Sequence, residues 1–229
     1  MIEGIVPLAT SEDQIGTPVQ PLEPELYHPN LMGRIFLTVM EEIMGTNGVN
    51  AILNMAKMQH FIGNYPPRDL ERQFPFKDYS KLSMAILDFY GPRGGKGLLL
   101  RAGRATFKYG LKEFGPLLGL ADLAFRLMPL GMKLKIGINA VAETFDKFSD
   151  MTAYVIEEKD RFVYVIEVCP ECVGRKGQME RPSCFLATGI LQEAVNWLSG
   201  GKNFRVVETK CMMVGDADCR FDIDKTPLD

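Results

Sequence analysis

The sequence predicts an α+β domain, an antiparallel sheet with helical layers, on three observations. Upstream of residue 149 the apolar residues recur at helical spacing. After Asp150 the period switches to that of a strand. The last forty residues then read as one helix followed by a hairpin. The result is a helix-rich N-terminal half and a strand-rich C-terminal part, with no internal repeat or low-complexity tract.

Residues 1–27 are rich in Pro, Glu and Thr, lack periodicity, and read as an N-terminal extension. Ile35, Phe36, Val39 and Met40 form one helical stripe; Val49, Ile52, Leu53 and Ala56 form another, and Gly45 to Gly48 separate them. Residues 64–75, with Pro66 and Pro67, read as loop. Helices are predicted over 78–89 and 97–114, and one or two long apolar helices over 117–148, hinged near Pro129. Strands 151–158 and 162–168 are joined by Lys159-Asp160-Arg161. A final helix is predicted to start at a Ser183 cap, carry Leu186, Ile190, Leu191, Val195 and Leu198 on its apolar face, and stop at Gly200-Gly201. The run 204–214 reads as a strand, Gly215-Asp216 as a turn, and Cys219, Phe221 and Ile223 as one face of the return strand. Residues 28–224 thus form a single domain, with a helical part over 28–149 and a strand-rich part over 150–224.

Bulk properties bound the function. The chain has 229 residues, 46% of them hydrophobic, enough for a sizeable core. Its net charge of −3 arises from 26 basic and 29 acidic residues with no dominant basic patch, so nucleic acid is not an expected partner. The N-terminus lacks a basic region before an apolar core. The most apolar run is broken by Asp122, Arg126 and Pro129, so neither a signal peptide nor a membrane span is expected. Five cysteines in such a chain favour metal or redox use in a reducing, cytoplasmic setting over a disulfide framework.

Several motifs carry less than they suggest. Gly91-Pro-Arg-Gly-Gly-Lys96-Gly97 imitates a phosphate loop, but Tyr90 stands where the first glycine belongs and Gly97 where the hydroxyl belongs; it reads as a turn before a helix. His28 and His60 read as surface or capping residues, since no nucleophile and acid can be placed beside them from sequence.

The cysteines are more informative. A hairpin over 204–223 brings Cys211 and Cys219 together from opposite strands, and Cys184 opens the preceding helix. Thiolates suit zinc, and a helix N-terminus favours the anion of Cys184. The helix and hairpin therefore read as a metal clip. A competing set joins Cys169 and Cys172 to Cys211 and Cys219. The Cys169-Pro-Glu-Cys172 pair also admits a redox reading, although Gly174 and Gly177 follow where a helix is expected. An iron–sulfur cluster and uncommitted buried thiols complete the alternatives.

Cys184 with Gly189, Val207-Glu-Thr-Lys-Cys211, Gly215-Asp216 and Cys219 resemble the vinyl-reductase-like, hydrocarbon-binding domain family. The specific match covers about the last third of the chain. That family includes a bacteriochlorophyll-pathway accessory protein and the sensor domains of phenol- and toluene-responsive activators, and it shares its fold with subunits of a vesicle-tethering complex. The resemblance implies zinc held by Cys184, Glu208, Cys211 and Cys219. Glu208 lies three residues before Cys211, so an ideal strand would point the two to opposite faces, and a bulge is required. Analogy with the phenol sensors places Val163, Thr188 and Val206 in the wall of an apolar pocket between the long helices and the sheet.

The functional expectation is a non-catalytic, zinc-containing domain that binds a hydrophobic or aromatic small molecule as carrier or sensor. An accessory protein or reductase of tetrapyrrole metabolism is one alternative, though no nucleotide fingerprint is visible for a hydride donor. A dimeric structural scaffold is the other. The apolar excess over 117–132 predicts a homodimer through the helical half.

Overall fold

Two short strands open the described part of the computed structural model, which comprises residues 24–115, 125, 127–175 and 177–228. Strand β1 (Tyr27–Pro29) pairs antiparallel with β2 (Arg72–Pro75), placing His28 opposite Phe74. The sequence suggested an extension and a loop here because three- and four-residue strands bounded by proline carry no readable alternation. The Leu26 carbonyl accepts from Phe76 N at 2.8 Å, and Tyr27 N donates to Asp150 Oδ2 at 2.8 Å. The backbone from Leu26 is therefore bonded to the body of the domain.

Helix α1 (Asn30–Met55) bends at Gly45, and α2 (Phe76–Phe114) bends at Gly91, both with positive φ. The helices expected over 78–89 and 97–114 are the two arms of α2. Gly91 takes φ 72° without a Cβ clash, and Pro92, lacking an N–H, starts the second arm. The segment that imitates a phosphate loop is this bend. Helix α3 (Leu130–Phe148) follows Pro129. Most of the apolar run that suggested a dimer falls at 116–124 and 126, outside the described residues. Beside it Leu127 is 77% exposed, and Met132 and Ile136 are also exposed.

The remaining elements are β3 (Ala153–Glu157), β4 (Arg161–Ile166), α4 (Phe185–Ser199), β5 (Phe204–Lys210) and β6 (Cys219–Pro227). The four strands form one antiparallel sheet in the order β3-β4-β6-β5. The α+β architecture with an antiparallel sheet is as the sequence predicts. Helix α4 ends at Gly200, φ 80°, also as predicted.

Layering follows from the buried faces. Phe162, Tyr164, Ile166, Phe221 and Ile223 project from the sheet onto Leu191, Val195 and Leu198 of α4 and Ile138 and Val141 of α3. A second core joins α1 to α2 and reaches α4 through Leu186. Helix α4 is thus covered on both sides, by the sheet and by α2. Among the described residues no helix is long and apolar enough to cross a membrane.

Candidate metal centre and apolar clefts

Strand order brings the cysteines to one end of the sheet. The end of β4 meets the start of β6, with Ile166 opposite Cys219, and the end of β5 lies on the other side of β6. Cys169 and Cys172 follow β4 on a turn, closed by Cys172 N donating to the Cys169 carbonyl at 3.0 Å. Cys184 is the residue before α4. All five thiols are buried in one cluster. Cys184 Sγ lies 3.7 Å from Cys169, 3.3 Å from Cys172, 3.7 Å from Cys211 and 3.9 Å from Cys219. Cys172 Sγ lies 3.9 Å from Cys211 and 3.5 Å from Cys219.

Glu208 joins this group through an irregular register. Pairing shifts between Glu208 and Lys210, so the strand bulges where Glu208 and Cys211 must be turned to one side. Glu208 Oε2 accepts from Cys184 N at 2.9 Å; Oε1 is buried with no partner among the described residues. Two sets of four donor atoms lie close enough to surround one ion: Cys184, Glu208, Cys211 and Cys219, and Cys169, Cys172, Cys184 and Cys219. Asp216 supports the hairpin from outside, its Oδ2 accepting from Cys211 N at 2.8 Å.

The α4 N-terminus is capped differently from the sequence expectation. Ser183 Oγ donates to the Arg181 carbonyl and does not cap the helix. The buried Glu171 carboxylate, between Cys169 and Cys172 on the turn, instead accepts from Leu186 N at 3.3 Å and Ala187 N at 2.9 Å. A carboxylate at this position also complements the helix dipole. Burial pushes Glu171 up to about 8, opposed by those N–H bonds. Glu208 is pushed up to about 10, first by burial and then by the neighbouring Cys211 charge. Hydrogen bonds from Cys172 and Cys184 pull Cys211 down to about 6. Cys184 is pushed well up by its sulfur contacts, beginning with Cys169. The lowered Cys184 pKa expected from its helix position is therefore reversed in the metal-free cluster, where the charge settles on Cys211 and Cys219.

Two clefts lie between the helices and the sheet. One, about 620 Å³ including its open mouth, is walled by Met32 of α1, Phe107 and Phe114 of α2, Val141 and Phe145 of α3, and Ile190 of α4. The other, about 430 Å³ on the same measure, shares Val141, Phe145 and Ile190 and reaches Tyr164, Cys169 and Glu171. Three buried polar atoms at these walls have no hydrogen-bond partner among the described residues: Thr106 Oγ1 in the first cleft, and His28 Nδ1 and Tyr164 Oη in the second.

Val163, Thr188 and Val206 line neither cleft. Val163 alternates with Phe162 and Tyr164 and so faces the opposite side of the sheet. Thr188 turns its hydroxyl back to the Cys184 carbonyl at 2.9 Å, and Val206 packs into the core beneath the sheet. His60 is exposed, as expected, but His28 is buried against Phe76 and Tyr79, with ring centroids 4.6 and 5.0 Å away. Its role was hidden because β1 is too short to reveal which side chains face inward.

Burial pushes the His28 imidazole down to about 3. The folded value lies below the unfolded one of about 6.5, so folding is weakened as pH falls through that interval, by up to about 1.4 kcal/mol per unit. Glu171 acts in the opposite sense: its contribution is present below about pH 4.3 and is lost as pH rises towards 8. Comparing His28→Phe with the parent at each pH isolates the histidine. Between about pH 7 and about pH 4.5 the stability difference should move by about 2.5 kcal/mol in the variant's favour, read by denaturant unfolding. A pH-independent difference would show that His28 titrates normally.

The fold and the thiol cluster together define a helix-and-sheet domain with a sulfur-rich centre at one sheet end. Residues 162–225 match the 4-vinyl-reductase domain family, in support of the vinyl-reductase-like resemblance. The fold is that of H-NOX proteins. A crystal structure of the Fe(II) unliganded H-NOX protein from K. algicida is similar with a TM-score of 0.59 and 14% identity, covering 86% of this chain and 96% of that one. An H-NOX structure from work on haem distortion gives a TM-score of 0.56 and 11% identity, over 88% and 97% of the two chains. Another, on haem redox potential and porphyrin distortion, gives 0.55 and 11%, over 86% and 97%. No curated protein sequence matches this chain.

Proposed function

We propose that the domain is a non-catalytic carrier or sensor of a hydrophobic or aromatic small molecule, braced by a structural zinc. The observation that carries the ligand reading is the pair of adjoining apolar clefts, where His28 Nδ1, Tyr164 Oη and Thr106 Oγ1 lack partners among the described residues. An unpaired buried polar group costs about 1–3 kcal/mol, which a ligand hydrogen bond would recover. The family match over 162–225 and the H-NOX-like fold support a small-molecule-sensing role, and the resemblance to phenol- and toluene-responsive sensors supports an aromatic ligand.

Haem, named for the fold's solved relatives, does not suit these clefts. Their lining residues include no Lys or Arg to pair with propionates, and Glu171 would repel them. Val141, Phe145 and Ile190 stand between the two spaces, where a flat macrocycle would need one slot. The same features weigh against the tetrapyrrole alternative.

The zinc reading rests on the donor set. A zinc–sulfur bond of about 2.3 Å in a tetrahedron sets the sulfurs about 3.8 Å apart, and the Cys184 contacts to Cys211 and Cys219 are 3.7 and 3.9 Å. Glu208 Oε1, buried and unpaired beside them, is the fitting fourth donor. A polynuclear iron–sulfur cluster would hold its thiolates farther apart, since iron and sulfide stand between them. The bound ion would join α4 to the terminal hairpin, and the cytoplasm would keep the thiols reduced for it.

Native mass spectrometry of protein purified from its own host tests the proposal. An added mass of an apolar organic molecule is expected. A homodimer is also expected, through the surface marked by Leu127, Met132 and Ile136. Thermal-shift screening with phenols, fatty acids and porphyrins should find its stabilisers among the uncharged aromatics. A ligand at a hundredfold excess over its Kd adds about 2.7 kcal/mol. An empty dimer with no stabiliser in any class would select the scaffold reading.

A further inference from the structure

The cluster holds more sulfur than a three-cysteine, one-carboxylate site uses, and the surplus is specifically placed. Cys172 Sγ lies 3.3 Å from Cys184, 3.5 Å from Cys219 and 3.9 Å from Cys211. With Cys184 at 3.7 Å from Cys211 and 3.9 Å from Cys219, five edges of a four-sulfur tetrahedron lie near the length that a single thiolate-bound ion requires. Glu208 is not needed to close it. Its Oε2 already serves Cys184 N, and its other oxygen is the only oxygen donor in either set.

From this arrangement we infer a second, all-thiolate donor set, Cys172, Cys184, Cys211 and Cys219, which takes a soft thiophilic ion such as Cd²⁺ with Cys172 in place of Glu208. The inference rests on the reading of the cluster as a metal centre. Ligand softness supplies the selection: borderline zinc accepts a carboxylate oxygen, whereas softer ions gain most from a fourth thiolate. In the exchange the Cys172 thiol gives its proton to solvent and forms the fourth metal–sulfur bond. Glu208 leaves the ion and keeps its bond to Cys184 N.

The placement of Cys172 is held from both sides. Its N–H is bonded to the Cys169 carbonyl, its own carbonyl accepts from Arg175 N at 3.0 Å, and the adjacent Glu171 is tied to the first turn of α4. Cys169, Pro170 and Glu171 of this turn also wall the second cleft. The ion that draws Cys172 inward therefore bears directly on the apolar site.

The test uses the reduced, metal-free full chain titrated with cadmium and, separately, with zinc. Cadmium on the parent should give a thiolate-to-metal absorption of four-thiolate intensity, with a cadmium NMR shift in the four-sulfur range. Cys172→Ser should lose one thiolate's share of that absorption. It should also lose cadmium affinity by at least the roughly 10–100-fold that even an outer-sphere ligand partner contributes. Glu208→Gln should retain the full cadmium signal. A parent spectrum of three-thiolate intensity, unchanged by Cys172→Ser, would overturn the inference while leaving the zinc reading intact. Failure of the parent to bind either ion would overturn both. The NMR shift of the parent decides the question even if Cys172→Ser does not fold.

Discussion

Cys211→Ser is expected to lose zinc and stability together. Cys211 ends β5, lies 3.7 Å from Cys184 Sγ, and belongs to the donor set with Glu208. Its hydroxyl replacement is a poor zinc ligand near neutral pH. Structural zinc contributes an apparent ~10–16 kcal/mol in finger peptides, which have almost no core of their own. Here Phe221, Ile223, Leu191 and Val195 are buried beneath the hairpin without help from metal, so the dependence should be smaller, on the order of several kcal/mol. Metal content by elemental analysis and unfolding by denaturant are the measurements. Cys169→Ser and Cys172→Ser should keep zinc at one equivalent. Zinc lost from Cys172→Ser but kept by Glu208→Gln would move the zinc itself to the four-sulfur set. Zinc lost from both Cys169→Ser and Cys172→Ser but kept by Cys184→Ser would select the four-cysteine alternative.

The legibility of this chain in sequence follows from where its information lies. Strands β4 and β6 alternate over several residues, and α4 carries a full apolar face, so their existence and pairing could be read directly. That the strands end together, gathering Cys169, Cys172, Cys211 and Cys219 beside Cys184, depends on the order β3-β4-β6-β5, which no local pattern encodes. The sequence therefore set the two cysteine pairs in competition with the Cys184 set, while the fold brings all five thiols to one place. The need for a bulge beside Glu208 was readable from the spacing to Cys211, and its position at Glu208–Lys210 came from the fold. Capping of α4 by Glu171 and the burial of His28 were hidden for one reason: each partner is remote in sequence and sits in a turn or a strand too short to show a period.

Gly189→Ala should destabilise the domain by about 2 kcal/mol or more, although alanine is the better helix former. Gly189 belongs to the motif that carries the family resemblance, and its place in α4 explains why a glycine suits it there. A Cβ at Gly189 would fall onto the Leu100 carbonyl oxygen of α2 and within 3.1 Å of Gly103 Cα; a Cβ at Gly103 would meet the Leu186 carbonyl oxygen and lie 2.9 Å from Gly189 Cα. The two glycines form a backbone-to-backbone crossing that joins the core beneath the sheet to the core of α1 and α2. Alanine in a helix gains about 1 kcal/mol over glycine, but overpacking costs about 1–3 kcal/mol and occasionally more. The high end of that range applies here, because the obstruction is backbone and cannot rotate away. Gly97→Ala in α2 is the control: it is exposed, with nothing within 4 Å of the added methyl, so only the propensity gain remains. It should stabilise by roughly 0.5–1 kcal/mol. Denaturant unfolding of the two variants should therefore give opposite signs. Equal, small stabilisation by both would show that α2 and α4 cross at a greater distance than the glycine pair allows.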